Sequence, residues 1–308
     1  MCYNPVLKRT NKFTGDKQFV NVRKMLKTEK LTECDRWEIQ LLPCRQCLEC
    51  RQARANEWAM RCMFEMQEHL HNCFITLTYA PTSPRTGLPA PIHLVRKDYK
   101  QFKYRLRKAI KPHKIKTFDC GEYGDIGMRP HFHAIIFGYD FPDKFKIGQS
   151  SKGFPTYTSE SLEKLWGHGL VTVQDVTMAT CAYTAMYSAK PKKDLPNHLK
   201  EYPEYNTMSK NLGIEPLMKI MGTALKTDEI FVDGRAHRIP QTLLNKVFGT
   251  TGQRRTDEEY QALKANRIAK AERATNSFMS YFDDDYHAMI DEKKRRKEKM
   301  KKQLLKKL

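Results

Sequence analysis

The sequence predicts an α+β fold in which helices pack on an antiparallel sheet, and three observations predict it. Short segments rich in β-branched and aromatic residues are bounded by Gly and Pro, longer segments repeat apolar residues every three or four positions, and the two kinds alternate along the chain. Taken in order, Arg51 to Leu70 reads as a helix with Trp58, Cys62 and Met66 on one stripe. Phe74 to Tyr79 reads as a strand, stopped by Pro81 and Pro84. Lys97 to Ile110 is an amphipathic helix carrying Tyr99, Phe102, Leu106 and Ile110 on one face and ended by Pro112. Lys114 to Cys120 and His131 to Phe137 are strands joined by the Gly- and Pro-containing segment Gly121 to Pro130, so they should pair as a hairpin. Ser159 to Trp166 is a short helix capped by Ser159 or Ser161, Leu170 to Val176 is a strand, and Met178 to Ala189 is a helix stopped by Pro191. The order strand, helix, strand, strand, helix, strand, helix is a ferredoxin-like split β-α-β arrangement, with the last helix on or beside the sheet.

That domain spans residues 73–200. Residues 1–72 form a Cys-rich, basic N-terminal region, and residues 201–308 form an accessory region with a helix at Asp257 to Ala274 and a basic tail. The 308 residues carry 55 Lys+Arg against 35 Asp+Glu, a net charge of +20. Such a surplus points to a polyanionic partner, nucleic acid before an anionic membrane, because neutralising phosphates releases their counterions. Residues 287–308 hold ten Lys/Arg against three acids, so +13 of the charge belongs to the body of the chain. With 40% hydrophobic and 10% aromatic residues, a wholly disordered polycation is excluded. Met1 is followed by polar sequence and no run of 18 apolar residues occurs, so the expectation is a cytoplasmic protein with no membrane partner.

Seven of the nine cysteines precede residue 74, an odd total without a secretory segment, and disulfides are not expected. Cys44, Cys47 and Cys50 have spacings that could set three thiolates around one structural Zn²⁺, with Cys2 or Cys34 as candidates for a fourth ligand. The competing reading is that these cysteines are small buried hydrophobes.

His131 and His133 are two apart on a strand, so their imidazoles project to one face. A hairpin can bring Glu122, at the end of the preceding strand, beside both and complete a divalent-metal site with positions open for a phosphate oxygen. Tyr183, Tyr187 and Lys190 lie four and three residues apart on the last helix, so two phenols and an ammonium share one side. The helix could instead simply pack two tyrosines on the sheet with a snorkelling lysine. Both groups on adjacent pieces of one small fold favour the functional reading.

Phe74 to Tyr79, His131-Phe132-His133 with its apolar continuation, and the Tyr-x-x-x-Tyr-x-x-Lys helix resemble, in order and spacing, the three motifs of HUH endonucleases, the rolling-circle replication initiators. The Pro43-Cys44-x-x-Cys47-x-x-Cys50-Arg51 cluster, Trp58, and Gly121-Glu122-Tyr123-Gly124 ahead of Arg129-Pro130-His131 are similar to the replication initiators of microviruses, in particular the gokushovirus branch. The resemblance covers about residues 40 to 190, with Arg238 to Gly249 as a further match.

It implies that 73–200 is an endonuclease domain and that Glu122, His131 and His133 hold Mg²⁺ or Mn²⁺. Tyr187 is the first choice of nucleophile, Tyr183 serves the second transfer, and Lys190 stabilises the charged oxygens. A phenol ionises near pH 10 and needs the metal's help to attack a phosphodiester. A 5′-phosphotyrosine keeps the ester bond energy, so the strand can be rejoined without ATP. The implied partners are single-stranded origin DNA, the double-stranded replicative form, and a helicase and polymerase of a bacterial host, in whose cytoplasm the protein would act. No Gly-x-x-x-x-Gly-Lys-Ser/Thr phosphate loop is present to drive unwinding from this chain. Two rivals explain less. A two-His-one-carboxylate iron oxygenase leaves the charge and the tyrosines unexplained, and a non-catalytic, zinc-containing single-strand or RNA-binding protein leaves His131, His133 and the tyrosine helix without a role.

Overall fold

The computed structural model describes residues 6–21, 37–124, 127–150, 153–186, 195–232, 234–240, 242–246, 258–279, 288, 291–292 and 294–295. The chain divides into two compact units, one of Met1–Arg51 with Arg254–Leu308 and the other of Gln52–Gln253. In the first, β1 (Val6–Asn11) pairs antiparallel with β2 (Lys17–Asn21) and with β3 (Trp37–Leu42), in the order β2-β1-β3. The Asn11 side chain closes the β1–β2 turn by accepting from the N–H groups of Phe13 and Thr14 at 2.8 and 3.2 Å. None of these strands is anticipated by the sequence, where Val6-Leu7-Lys8-Arg9-Thr10-Asn11 lacks an apolar alternation. This unit also holds the helix predicted near 257–274, observed at Glu258–Met279.

The second unit is built on a seven-stranded antiparallel sheet. Its members are β4 (Asn72–Thr78), β5 (Lys116–Tyr123), β6 (Pro130–Phe137), β7 (Phe145–Gln149), β8 (Pro155–Thr158), β9 (Val171–Gln174) and β10 (Tyr205–Met208), ordered β10-β5-β6-β4-β9-β8-β7. The helices are α1 (Leu48–Gln67), which enters from the first unit, α2 (Arg96–Ala109), α3 (Glu160–Trp166), α4 (Met178–Met186) and α5 (Ile214–Thr227). A small hairpin, β11 (Glu229–Val232) with β12 (Arg235–Arg238), follows. The α+β class is as predicted, and the four anticipated strands lie together as β5-β6-β4-β9. Three further strands extend the sheet, one of them, β10, beyond residue 200.

Both faces of the sheet are covered. On one, Ile75, Leu77, Phe132, Ala134 and Val173 meet Tyr99, Phe102 and Leu106 of α2 and Leu162 and Trp166 of α3. Tyr99 stacks on Phe132 at 5.1 Å, and the Trp166 indole donates to the Thr78 carbonyl at 3.1 Å. Each such side chain contributes roughly 1.5–3 kcal/mol by leaving water. On the other face, Trp58 of α1 stacks on Phe118 at 5.3 Å, and α4 lies over Phe74 and His133. Strands covered on both sides cannot show a polar alternation. Every residue of β5 except Lys116 is buried, and every residue of β6 except His131. Against that background Asp119, Glu122 and His133 stand out as charged or titratable groups buried in a sheet.

Asp119 is neutralised where it lies, accepting from Lys103 Nζ at 2.7 Å and from the hydroxyls of Thr117 and Thr207 at 3.2 and 2.9 Å. Ser159 caps α3 as expected, its hydroxyl accepting from the Leu162 N–H at 3.1 Å. The α1 helix is fixed to the segment before α5 by buried polar groups. Arg61 Nε donates to the Leu212 carbonyl at 2.9 Å, and the buried Glu65 carboxylate accepts from the Gly213 N–H at 2.8 Å and from Lys116 Nζ at 2.9 Å. Gly213 is required here, because its φ is 68° and an added Cβ would lie 2.4 Å from the Arg61 carbonyl oxygen.

Burial pushes the Glu65 carboxyl up, but hydrogen bonds from Gly213, His69 and Lys116 outweigh it and leave it below the ordinary range. The native state therefore favours the ionised form, and this stabilisation is complete above the ordinary carboxylate range and lost as pH falls through it. Glu65→Gln is expected to cost about 2 kcal/mol at neutral pH. The gap in thermal midpoint between variant and parent should shrink as pH drops below about 4.3. A gap independent of pH would assign the loss to packing alone.

Candidate metal and tyrosine site

The site is built where β5, β6 and α4 meet. Glu122 and His131 are directly opposite in the β5–β6 register, as are Thr76 and His133 in the β4–β6 register. Residues 131 and 133 therefore point to the α4 side of the sheet, and the hairpin brings the Glu122 carboxylate between them. His131 Nε2 lies 2.5 Å and His133 Nε2 2.8 Å from Glu122 Oε1. The Tyr183 hydroxyl of α4 donates to the same oxygen at 3.0 Å. The other carboxylate oxygen, Oε2, is buried and accepts no hydrogen bond.

The outer nitrogens are also held. His131 Nδ1 is 3.1 Å from the Arg129 carbonyl, and His133 Nδ1 is 2.9 Å from the Thr76 hydroxyl. A carbonyl only accepts, so the proton of His131 sits on Nδ1, and in a neutral ring Nε2 is left as a bare lone pair. That lone pair faces a carboxylate oxygen, which also only accepts. Positive charge is needed between them, either a proton or a cation.

The titration of these groups reflects the same geometry. Burial raises the Glu122 carboxyl, but hydrogen bonds from His131 and His133 and their charge more than offset it and hold the group down to about 2. Burial alone would lower His131, and the bond and charge of Glu122 reverse this and raise it. His133 is lowered, because its deeper burial outweighs Glu122.

The donor set suits a divalent cation. The Glu122, His131 and His133 ligand atoms all lie within 4.8 Å of one another. Each imidazole has its far nitrogen fixed by an oxygen, the usual support for a metal-binding histidine. The unsatisfied Oε2 and the facing lone pair are both features that a bound cation would relieve.

Tyr183 is 42% exposed, so its hydroxyl joins the cluster while remaining reachable from solvent. Its ring meets His133 and Phe74 edge-on at 5.2 and 6.5 Å. Tyr187 and Lys190, predicted to share its helix face, lie outside the described residues, and so does Cys2. Cys44, Cys47 and Cys50 form a separate group of half-buried thiols, again with ligand atoms within 4.8 Å of one another.

Two supports were not read from the sequence. Thr76 is a lone hydroxyl between Ile75 and Leu77, a signal visible only once the strand's face is known. Asn206 of β10 donates through its side-chain amide to the Thr184 carbonyl at 2.8 Å, tying α4 to the sheet edge. No local pattern in Tyr205-Asn206-Thr207-Met208 announces that tie.

A sheet strand bearing paired histidines, a neighbouring carboxylate and an overlying tyrosine helix fits a class of replication-associated proteins. Residues 72–192 match the replication-associated protein family named for ORF2. The chain is similar to "Replication-associated protein ORF2" of Spiroplasma virus 4, 31% identical over 197 residues, 62% of this chain and 61% of that protein. It is similar also to "Replication-associated protein ORF4" of Chlamydia phage 1, at 28% over 79% of this chain and 63% of the relative. A third relative is "Replication-associated protein VP4" of Bdellovibrio phage phiMH2K, at 33% over 55% of each chain. The resemblance to microvirus replication proteins stated from the motifs holds. The matched stretches span 55% to 63% of the length of these curated relatives. No solved structure matches. Among the described residues no helix is long and apolar enough to cross a membrane.

Proposed function

We propose that the chain is a rolling-circle DNA replication initiator of the two-tyrosine HUH type, which nicks a single-stranded origin by tyrosine attack and later rejoins the strand. The convergence of His131, His133 and Tyr183 on one oxygen of Glu122 carries this reading. The strand order β5-β6-β4-β9, with α2 and α3 on one face and α4 on the other, supports a split β-α-β endonuclease core.

Glu122, His131 and His133 would hold Mg²⁺ or Mn²⁺, which when bound supplies Lewis-acid polarisation of the scissile phosphate. The tyrosine hydroxyl attacks phosphorus and gives up its proton, a phosphotyrosine forms with the 5′ end, and the P–O3′ bond breaks. The leaving 3′-oxygen takes up a proton. Lys190 stabilises negative charge on the oxygens involved. With Tyr183 and Tyr187 one helical turn apart, one holds the 5′ end while the other cuts the regenerated origin, and the freed 3′-hydroxyl displaces the first tyrosine to close a circle. The substrate is origin DNA on the displaced strand or in the replicative form, with unwinding and synthesis supplied by host helicase and polymerase in a bacterial cytoplasm.

The reading is tested by incubating the chain and Mn²⁺ with single-stranded oligonucleotides tiled across the genome that encodes it. A protein–DNA adduct resistant to SDS and carrying the 3′-side fragment is the expected product. Cleavage that leaves only free 5′-phosphates would show hydrolysis and reject tyrosine transfer.

A further inference from the structure

We propose that Cys44, Cys47 and Cys50 bind one Zn²⁺ through their thiolates, at a site separate from the Glu122 cluster. The turn they occupy has the local geometry such a site needs. Arg45 takes a positive φ of 61°, which folds the chain back after Cys44. The Cys47 N–H then donates to Cys44 Sγ at 3.3 Å, a bond that favours the anionic form of that sulfur. The Arg51 N–H donates to the Cys47 carbonyl at 3.0 Å, so the turn runs directly into α1. Cys50 falls in the first turn of α1, where the unsatisfied N–H groups carry a partial positive charge and lower a thiol's pKa.

All three sulfurs lie within 4.8 Å of one another. With a Zn–S bond of about 2.3 Å, two thiolates on one ion stand no more than about 4.6 Å apart, so the cluster needs only a small contraction to close on zinc. The spacing Cys-x-x-Cys-x-x-Cys also occurs in iron–sulfur proteins. There each thiolate bonds a different iron, and the sulfurs must stand wider apart than around a single ion. Tetrahedral zinc is therefore the favoured occupant. Each ligating thiol gives up its proton to solvent as its S–Zn bond forms, so loading should release protons. The two flanking cations, Arg45 and Arg51, reduce the excess negative charge of three thiolates on one dication. The fourth coordination position is left to water or another donor.

The experiment uses the full chain purified without added metal. One equivalent of zinc by elemental analysis, retained on brief EDTA treatment, is expected. Replacement by Co²⁺ should give the thiolate-to-cobalt charge-transfer band and the intense visible bands of tetrahedral ligation, a readout that needs no variant and no activity. Cys47→Ser should lose the zinc and the bands, whereas Glu122→Gln should keep both. Zinc binding would then stand whether or not the chain cleaves DNA. Three outcomes overturn the proposal: no zinc above background with the thiols fully reduced, tetrahedral cobalt bands that persist in Cys47→Ser, or brown protein with acid-labile sulfide, which would give the site to an iron–sulfur cluster.

Discussion

Tyr183→Phe combined with Tyr187→Phe is expected to abolish covalent attachment to single-stranded DNA, a loss of at least about 10³-fold. The fold should survive. At position 183 the ring contacts with His133 and Phe74 need no hydroxyl, and the lost hydrogen bond to Glu122 is half exposed and worth about 1 kcal/mol or less. Non-covalent retention of DNA, which rests on Lys and Arg, should be unchanged and should weaken with salt in the variant as in the parent. Each single variant should still form an adduct but stall before a circle is released, because the second transfer needs the other phenol. Denaturing gels with end-labelled oligonucleotide measure both effects. An adduct of normal yield in the double variant would remove both tyrosines from the reaction.

Glu122→Gln should lower metal-dependent cleavage by about 10²–10³-fold, the equivalent of several kcal/mol of lost charge stabilisation. The substitution keeps the shape of the side chain and removes the anion that His131, His133 and Tyr183 all face. His131→Ala should act in the same direction but be partly rescued by excess Mn²⁺, because two of the three ligands remain. No concentration of Mn²⁺ should rescue the double tyrosine variant. That contrast separates loss of the cation from loss of the nucleophile. Mn²⁺ titration followed by electron paramagnetic resonance gives an independent reading of affinity, and full-rate cleavage by Glu122→Gln with unaltered Mn²⁺ binding would exclude the cluster as the metal site.

Much of this arrangement was legible because its parts obey local rules. The Tyr99, Phe102, Leu106 stripe can only be helical, Ala134-Ile135-Ile136-Phe137 can only be a strand covered on both sides, and a hairpin between 120 and 130 necessarily sets residue 122 near 131. What escaped lacks a local cause. In β7 every residue is exposed, so no buried face exists to leave a pattern. In α5, Pro216 and Gly222 disguise a helix, yet Pro216 sits in the first turn, where its missing N–H costs nothing. The N-terminal strands are stabilised by pairing with one another across sequence gaps that a periodicity count does not bridge. Within the site, the titratable ligands were visible as residue types, while Thr76 and Asn206 act only through register and distance.

The tie from Asn206 to Thr184 bears on where the functional unit ends. A shortened polypeptide stopping at Lys200 would retain all three motifs, both histidines and both tyrosines, and would pass any inspection by motif content. It would nevertheless lack β10, leaving β5 as a bare sheet edge and the carbonyl of Thr184 without the amide that anchors its helix. Insertions and deletions between residues 186 and 205 should therefore be tolerated in length so long as the returning strand still reaches the sheet, whereas loss of the four residues Tyr205–Met208 should not. The selective constraint then falls on a short stretch that carries no chemistry of its own.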